Sequence, residues 1–334
     1  MNFGFNDEQQ EIKSTARQFL ESRFKPDVVR ELAEGGRYDD QLWNEICELG
    51  WPGIAVGEED GGQGLGMIEL VIVSEELGYA CAPTPFLSNA AAGLALAAAG
   101  SDEQKQSYLA GCASGEARGT VGIGPAGAAS TPLVPDAQSA EFIILITGER
   151  ATLVPGSDAE VEMIDTIDTT RRYATVAVAE GVPLPGDVNA ARDRIAVALA
   201  AELTGVAQRA MDMSVAYAKE RHQFDRPIGA YQAVSHACAG MLYEVEEARS
   251  LTYYAAWAAD AEPESLPLAA AMAKARASDA AWNVTKAAIQ VHGGIGFTWE
   301  HDLHFLLKRA RAGGQMYESA SRHRERVAAL AGLA

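Results

Sequence analysis

The chain has 334 residues, 48% hydrophobic and 22% charged, enough for two or three packed units around a sizeable core. Its 46 acidic and 27 basic residues leave a formal charge of -19, which excludes a general attraction to nucleic acid or to an anionic membrane. No long apolar run and no basic-then-apolar leader is present, so a soluble, cytoplasmic protein is expected.

The first zone, residues 1–117, reads as helical. Asn6 or Asp7 can cap a helix whose face carries Ile12, Ala16, Phe19 and Leu20. QLWNEICELG repeats the pattern with Leu42, Ile46 and Leu49, and Gly50 is a stop signal. The glycine-rich EEDGGQGLG leads into MIELVIVSEELG, and DEQKQSYLAGCASG closes the zone. Between residues 118 and 186 the period changes. GTVGIG, AEFIILIT, ATLVPG and YATVAVAE are short runs rich in Val, Ile and Thr between Gly, Pro and Asp, the pattern of a small β-domain. From 187 to 334 alanine-rich helical stretches return, broken near ERHQFDRPIG, DAEPESLP and VHGGIGFTWEHD, as in a four-helix bundle.

Cys47, Cys81, Cys112 and Cys238 lie far apart without a C-x-x-C pair, which suits neither zinc nor a disulfide framework. His301 and His304 are close, but without a cysteine beside them they read as an exposed helix face rather than a metal site. Arg171 and Arg172 in DTTRRY could form a basic patch for an anion, but pairing with the surrounding aspartates is the favoured reading. Tyr253, Tyr254 and Trp257 read as bundle core rather than pocket wall.

Two stretches stand apart from ordinary bundle sequence. Arg221–Gly229, continuing to Tyr231-Gln232-Ala233, puts a basic, amide-rich turn into an acidic chain. Arg221 and Arg226 suit a phosphate and Gln223 and Gln232 can donate amide hydrogen bonds, although arginines tying a turn to helix carbonyls would look the same. Gln290–Phe297, QVHGGIGF, supplies glycines that permit positive φ and open backbone amides, or simply a helix cap and turn. It follows no predicted strand, so it is not a Rossmann fingerprint.

Together the two stretches resemble the C-terminal domain of the acyl-CoA dehydrogenase family. R-x-Q-F-G-x-P-[IL]-x-x-[FH]-Q-A matches Arg221, Gln223, Phe224, Pro227, Ile228, Gln232 and Ala233, with Asp225 where glycine is usual. Q-x-x-G-G-x-G-[FY] matches Gln290, Gly293, Gly294, Gly296 and Phe297. The resemblance implies a mostly α fold with a small central β-domain, ordered α, β, α-bundle. It also implies FAD as cofactor, an acyl-CoA thioester as substrate, a homo- or hetero-oligomer, and an electron-transfer flavoprotein or similar acceptor. Arg221, Gln223, Phe224, Gln232, Gln290, Gly293 and Gly294 match residues that reach the flavin of a neighbouring subunit.

The other half of the family's flavin site departs from the pattern. T-E-P-x-x-G-S-D is missing, and Gly124-Pro125-Ala126-Gly127 is only an echo of it. The family's Y-E-G-T base suggests Tyr317-Glu318-Ser319, yet an ungapped count from GGIGF puts Tyr317 at the base position and Glu318 one residue later. In a helix that slip is a turn of about 100°. The family's other base position falls on Ile195, with Asp193 two residues away. Glu318 is thus the candidate base in this chain and Asp193 a lesser one. A shared-site subunit whose partner carries the base is the favoured reading. A self-sufficient enzyme using Glu318 and a flavin-free scaffold are the alternatives.

Overall fold

The computed structural model describes residues 4–177 and 180–333. Helices α1 (Asp7–Arg23), α2 (Pro26–Gly35), α3 (Asp40–Glu48), α4 (Met67–Ala80), α5 (Phe86–Ala99) and α6 (Asp102–Ser114) come first. Asn6 accepts from the Gln9 amide at 2.8 Å while the Gln9 side chain reaches back to Asn6, a reciprocal cap that fixes where α1 begins. Ser101 and Gln104 do the same for α6. In α3 the buried stripe runs through Trp43 and Ile46, and Leu49 is left 40% exposed.

Seven strands follow: β1 (Gly119–Gly124), β2 (Ser130–Pro135), β3 (Phe142–Thr147), β4 (Arg150–Pro155), β5 (Val161–Ile164), β6 (Tyr173–Ala177) and β7 (Val182–Pro183). One sheet has the order β1-β3-β4-β7, parallel only between β1 and β3, and the other is antiparallel with the order β2-β6-β5. Alternation along β3 explains the layering. Phe142, Ile144 and Ile146 join the helical core, whereas Ile143 and Leu145 pack with Val134, Ala174 and Val176 of the second sheet.

The last third holds α7 (Val188–Glu220), a hairpin of β8 (His222–Gln223) and β9 (Arg226–Pro227), α8 (Gln232–Ala261), α9 (Leu266–His292), α10 (Leu303–Gln315) and α11 (Ala320–Leu330). Helices α7, α8 and α9 pack on one another, α10 and α11 lie against α9, and α4 crosses α7. Among the described residues no helix is long and apolar enough to cross a membrane.

Four charged groups lie where these layers meet. Arg171 grips Glu202 of α7 with contacts of 3.1 and 2.6 Å, and Arg309 of α10 reaches Asp168 at 3.1 Å and Glu202 at 3.4 Å. Arg171 therefore pairs with a glutamate, not with the aspartates of its own loop. Arg172 donates to the Gly36 carbonyl at 2.7 Å and lies over the Tyr38 ring, so neither arginine forms a free basic patch. The histidine pair also differs from the expected exposed face. His304 is 9% exposed, against Trp299 and Phe305, because its ring closes the start of α10 over the core. Tyr253, Tyr254 and Trp257 are half-buried at the edge of the bundle.

Candidate active site

The basic motif begins where α7 stops. Phe224 and Asp225, with φ of 52° and 62°, are the two residues between β8 and β9, and a two-residue hairpin turn of this kind needs positive φ at both. Asp225 tolerates that region better than most side chains, so the turn survives without the usual glycine. The Ile228 amide donates to the Arg221 carbonyl at 2.8 Å, the Tyr231 hydroxyl to the Gln223 carbonyl at 3.1 Å, and the Arg226 guanidinium lies 4.0 Å from the Tyr231 ring centroid. Arg226 is thus used for bracing. The exposed side chains of Arg221, Gln223, Gln232 and Gln290 make no hydrogen bond or ion pair with another described residue.

Gly293, at φ 61°, closes α9 by donating to the Gln290 and Ile289 carbonyls. A Cβ added at Gly296 would lie 2.8 Å from the His292 Cβ, so that glycine serves internal packing. One added at Gly293 or Gly294 would meet nothing within 4 Å. Packing within the chain therefore gives no reason for glycine at 294. The two motifs share one end of the bundle, because Tyr217, one turn before Arg221, stacks on His292 at 4.5 Å. Phe224, Phe297 and Trp299 stand 85%, 83% and 67% exposed in these segments.

Glu318 belongs to a different surface. A cavity of about 260 Å³ lies between the β-domain and the α10–α11 connection, lined in part by Gly124, Pro125, Leu133, Tyr317, Glu318 and Arg322. Tyr317 and Glu318 are not helical. Both are left-handed, at φ 53° and 73°, so the 100° step of a helix does not decide which side chain faces the cavity. Tyr317 is 5% exposed with an unpartnered hydroxyl, and burial pushes its phenol well above the usual range. Glu318 is half-buried on the cavity wall. Asp193 is buried and clasped by Arg326, and Ile195 is fully buried, so neither offers a free carboxylate.

Lys274 is a residue the motifs do not reveal. Fully buried on α9, it donates to Ser278 Oγ at 3.1 Å, the Gly314 carbonyl at 3.4 Å and the Glu318 carbonyl at 3.1 Å. It thereby anchors the left-handed pair. Its one sequence signal is a lysine within the alanine-rich run LPLAAAMAKARA.

The family model for the acyl-CoA dehydrogenase N-terminal domain matches residues 6–116, and that for the C-terminal domain matches residues 188–328. Acyl-CoA dehydrogenase IpdE2 of Mycobacterium tuberculosis (strain ATCC 25618 / H37Rv) is 36% identical over 316 residues, covering 94% of each chain. The chain belongs to the acyl-CoA dehydrogenase family. Among solved structures, the ChsE4–ChsE5 complex from Mycobacterium tuberculosis aligns with a TM-score of 0.89 at 25% identity, over 100% of both chains. A structure titled "Tcur3481-Tcur3483 steroid ACAD G363A variant" aligns at 0.87 and 27%, over 98% of both. As an acyl-CoA dehydrogenase the chain is an oxidoreductase acting on acyl-CoA, with FAD as its cofactor. The motif end fits that group: a guanidinium and amides can meet a pyrophosphate, and the outward glycines let it approach the backbone.

Proposed function

We propose that this chain is the flavin-sharing partner subunit of a hetero-oligomeric acyl-CoA dehydrogenase that introduces an α,β double bond into a bulky acyl-CoA thioester. One observation carries the reading. The residues matching the neighbour-facing half of a flavin site form an exposed, unpartnered end of the bundle, while the cavity beside Glu318 at the chain's own β-domain is small. At about 260 Å³ that cavity is below the roughly 300–1,000 Å³ of ordinary ligand pockets. Relatives whose titles name a two-component complex and a steroid enzyme support the reading.

Arg221 and Gln290 would hold the pyrophosphate end of FAD bound mainly by the partner, with Gly293 and Gly294 giving it room. Bound FAD supplies the hydride acceptor, and an electron-transfer flavoprotein or similar protein would take the electrons onward. Glu318 supports a second reading, in which a homo-oligomer removes the α-proton at its Oε atoms, because its side chain borders the cavity.

The test is flavin content and α-proton exchange, measured on the chain alone and co-expressed with a neighbouring dehydrogenase chain. The partner reading expects a colourless protein alone and a yellow complex, in which Arg221→Ala loses flavin and Glu318→Gln still exchanges the α-proton. A yellow homo-oligomer that Glu318→Gln inactivates would establish the second reading instead.

A further inference from the structure

The chain holds a cavity larger than the one at Glu318, and it lies elsewhere. About 410 Å³ in volume, it opens between α1, α2, α4, α7 and α10. No residue lining it belongs to the hairpin, the glycine turn or the α10–α11 connection. Its wall is mixed: apolar side chains such as Leu20, Phe24, Val29, Met213, Phe305 and Leu306 share it with charged ones. Such a volume, with an apolar patch beside polar groups, lies within the range of small-molecule sites.

The lining carries three cations, Arg17, Lys25 and Arg209, and three carboxylates, Glu21, Glu76 and Asp302, and it is the unpaired Arg209 that favours an anion. Tyr79 has two guanidinium groups against its ring, with Arg17 at 3.7 Å and Arg209 at 5.2 Å from its centroid. Arg17 is committed to Glu76, which Lys13 also reaches at 3.1 Å. Arg209 is not so committed. Its Nη1 lies 3.5 Å from the Tyr79 hydroxyl, and it pairs with no carboxylate among the described residues. Asp212, one turn fragment further along α7, instead accepts from the Tyr79 hydroxyl at 3.0 Å and from the Gln208 amide at 2.9 Å. Of the other lining residues, Asp302 is held by Arg30, while Lys25 and Glu21 are exposed. A half-buried guanidinium without a paired carboxylate, lining this hollow, has donors in a planar fork ready for an oxyanion.

The geometry points to a second ligand site in this cavity, one that takes a compact apolar body ending in a single oxyanion, with Arg209 holding the anion. It is independent of the flavin site and does not rest on the subunit role proposed above.

Calorimetric titration of the full chain, alone and in complex with its partner, tests it with decanoate, decyl phosphate and decanol below their micelle concentrations. Saturable binding of decanoate or decyl phosphate is expected, and the tighter of the two identifies the oxyanion. Arg209→Met should weaken that binding at least ten-fold while leaving decanol binding and the flavin content of the complex unchanged. Met213→Trp, which fills the hollow, should abolish binding of all three. No saturable binding of either anion, equal binding by wild type and Arg209→Met, or undiminished binding by Met213→Trp would each overturn the site. Should Arg209→Met fail to fold, Met213→Trp decides the matter alone.

Discussion

Lys274 has no carboxylate within ion-pairing distance among the described residues, only a hydroxyl and two carbonyls. Burial pushes its ammonium down to about 7, against the weaker upward pull of Glu318 and Asp279. An unfolded lysine keeps its proton to about 10.4. Between those values the unfolded chain binds the extra proton at this lysine, so its contribution to folding stability rises with pH across that window. Below it both states are charged and the burial penalty is felt in full. The gain should approach about 1.4 kcal/mol per pH unit at its steepest. His323, pushed down by burial to about 4, produces a similar rise only at lower pH. The thiols of Cys47, Cys81, Cys112 and Cys238, pushed up by burial, act in the opposite sense at high pH, so the lysine is isolated by comparison with a variant that lacks it. Urea midpoints of wild type and Lys274→Met, compared at intervals above pH 7, should diverge upward for the wild type. A constant difference would mean that Lys274 keeps its proton in the fold. The same variant frees the Glu318 and Gly314 carbonyls, so the left-handed pair should loosen at every pH.

At the scale of elements, the crossing of α4 and α7 is set by two glycines. A Cβ on Gly78 would lie 2.0 Å from the Glu202 carbonyl oxygen, and one on Gly205 would lie 1.9 Å from that of Glu75. The helices meet backbone to backbone, with no flexible side chain to give way. Gly205→Ala should therefore destabilise the protein by about 1–3 kcal/mol through overpacking, despite roughly 1 kcal/mol of better helix propensity. Chemical denaturation reads the sign directly, and a more stable variant would mean that the helices slide apart without cost. The same elements show what a sequence does and does not disclose. Helix α1 is legible because its cap and its apolar face agree, as Asn6, Ala16 and Leu20 illustrate. Helix α5 is not, because it is buried nearly all round and FLSNAAAGLALAAA has no polar face to set a period. Strand β2, with two prolines, and strand β5, with exposed Glu162 and Met163, lack the apolar alternation that marks β3. In the candidate site, the hairpin and glycine turn are legible because their geometry is local. The orientation of Glu318 is not, since it depends on Lys274, 44 residues away in sequence.

One buried cluster joins all three zones of the molecule. Arg309 comes from α10, Asp168 and Thr170 from the loop before β6, Glu202 from α7, and the Ala82 carbonyl from the link after α4. Burial alone would raise the Glu202 carboxyl, yet Arg171 and Arg309 hold it below the usual range. Such a set specifies how the layers meet more than it adds stability, because taking charges out of water costs nearly as much as their pairing returns. Removing one member is a different matter. Arg309→Met would leave Asp168, with no exposed side-chain surface, without a cation, while Glu202 keeps Arg171. A loss of about 3–5 kcal/mol in urea unfolding is expected. Combining it with Asp168→Ala removes the stranded charge as well, so the double variant should lose clearly less than the two single losses summed. Additive losses would mean that the two side chains do not act as a pair, and that the layers are held in place by apolar packing alone.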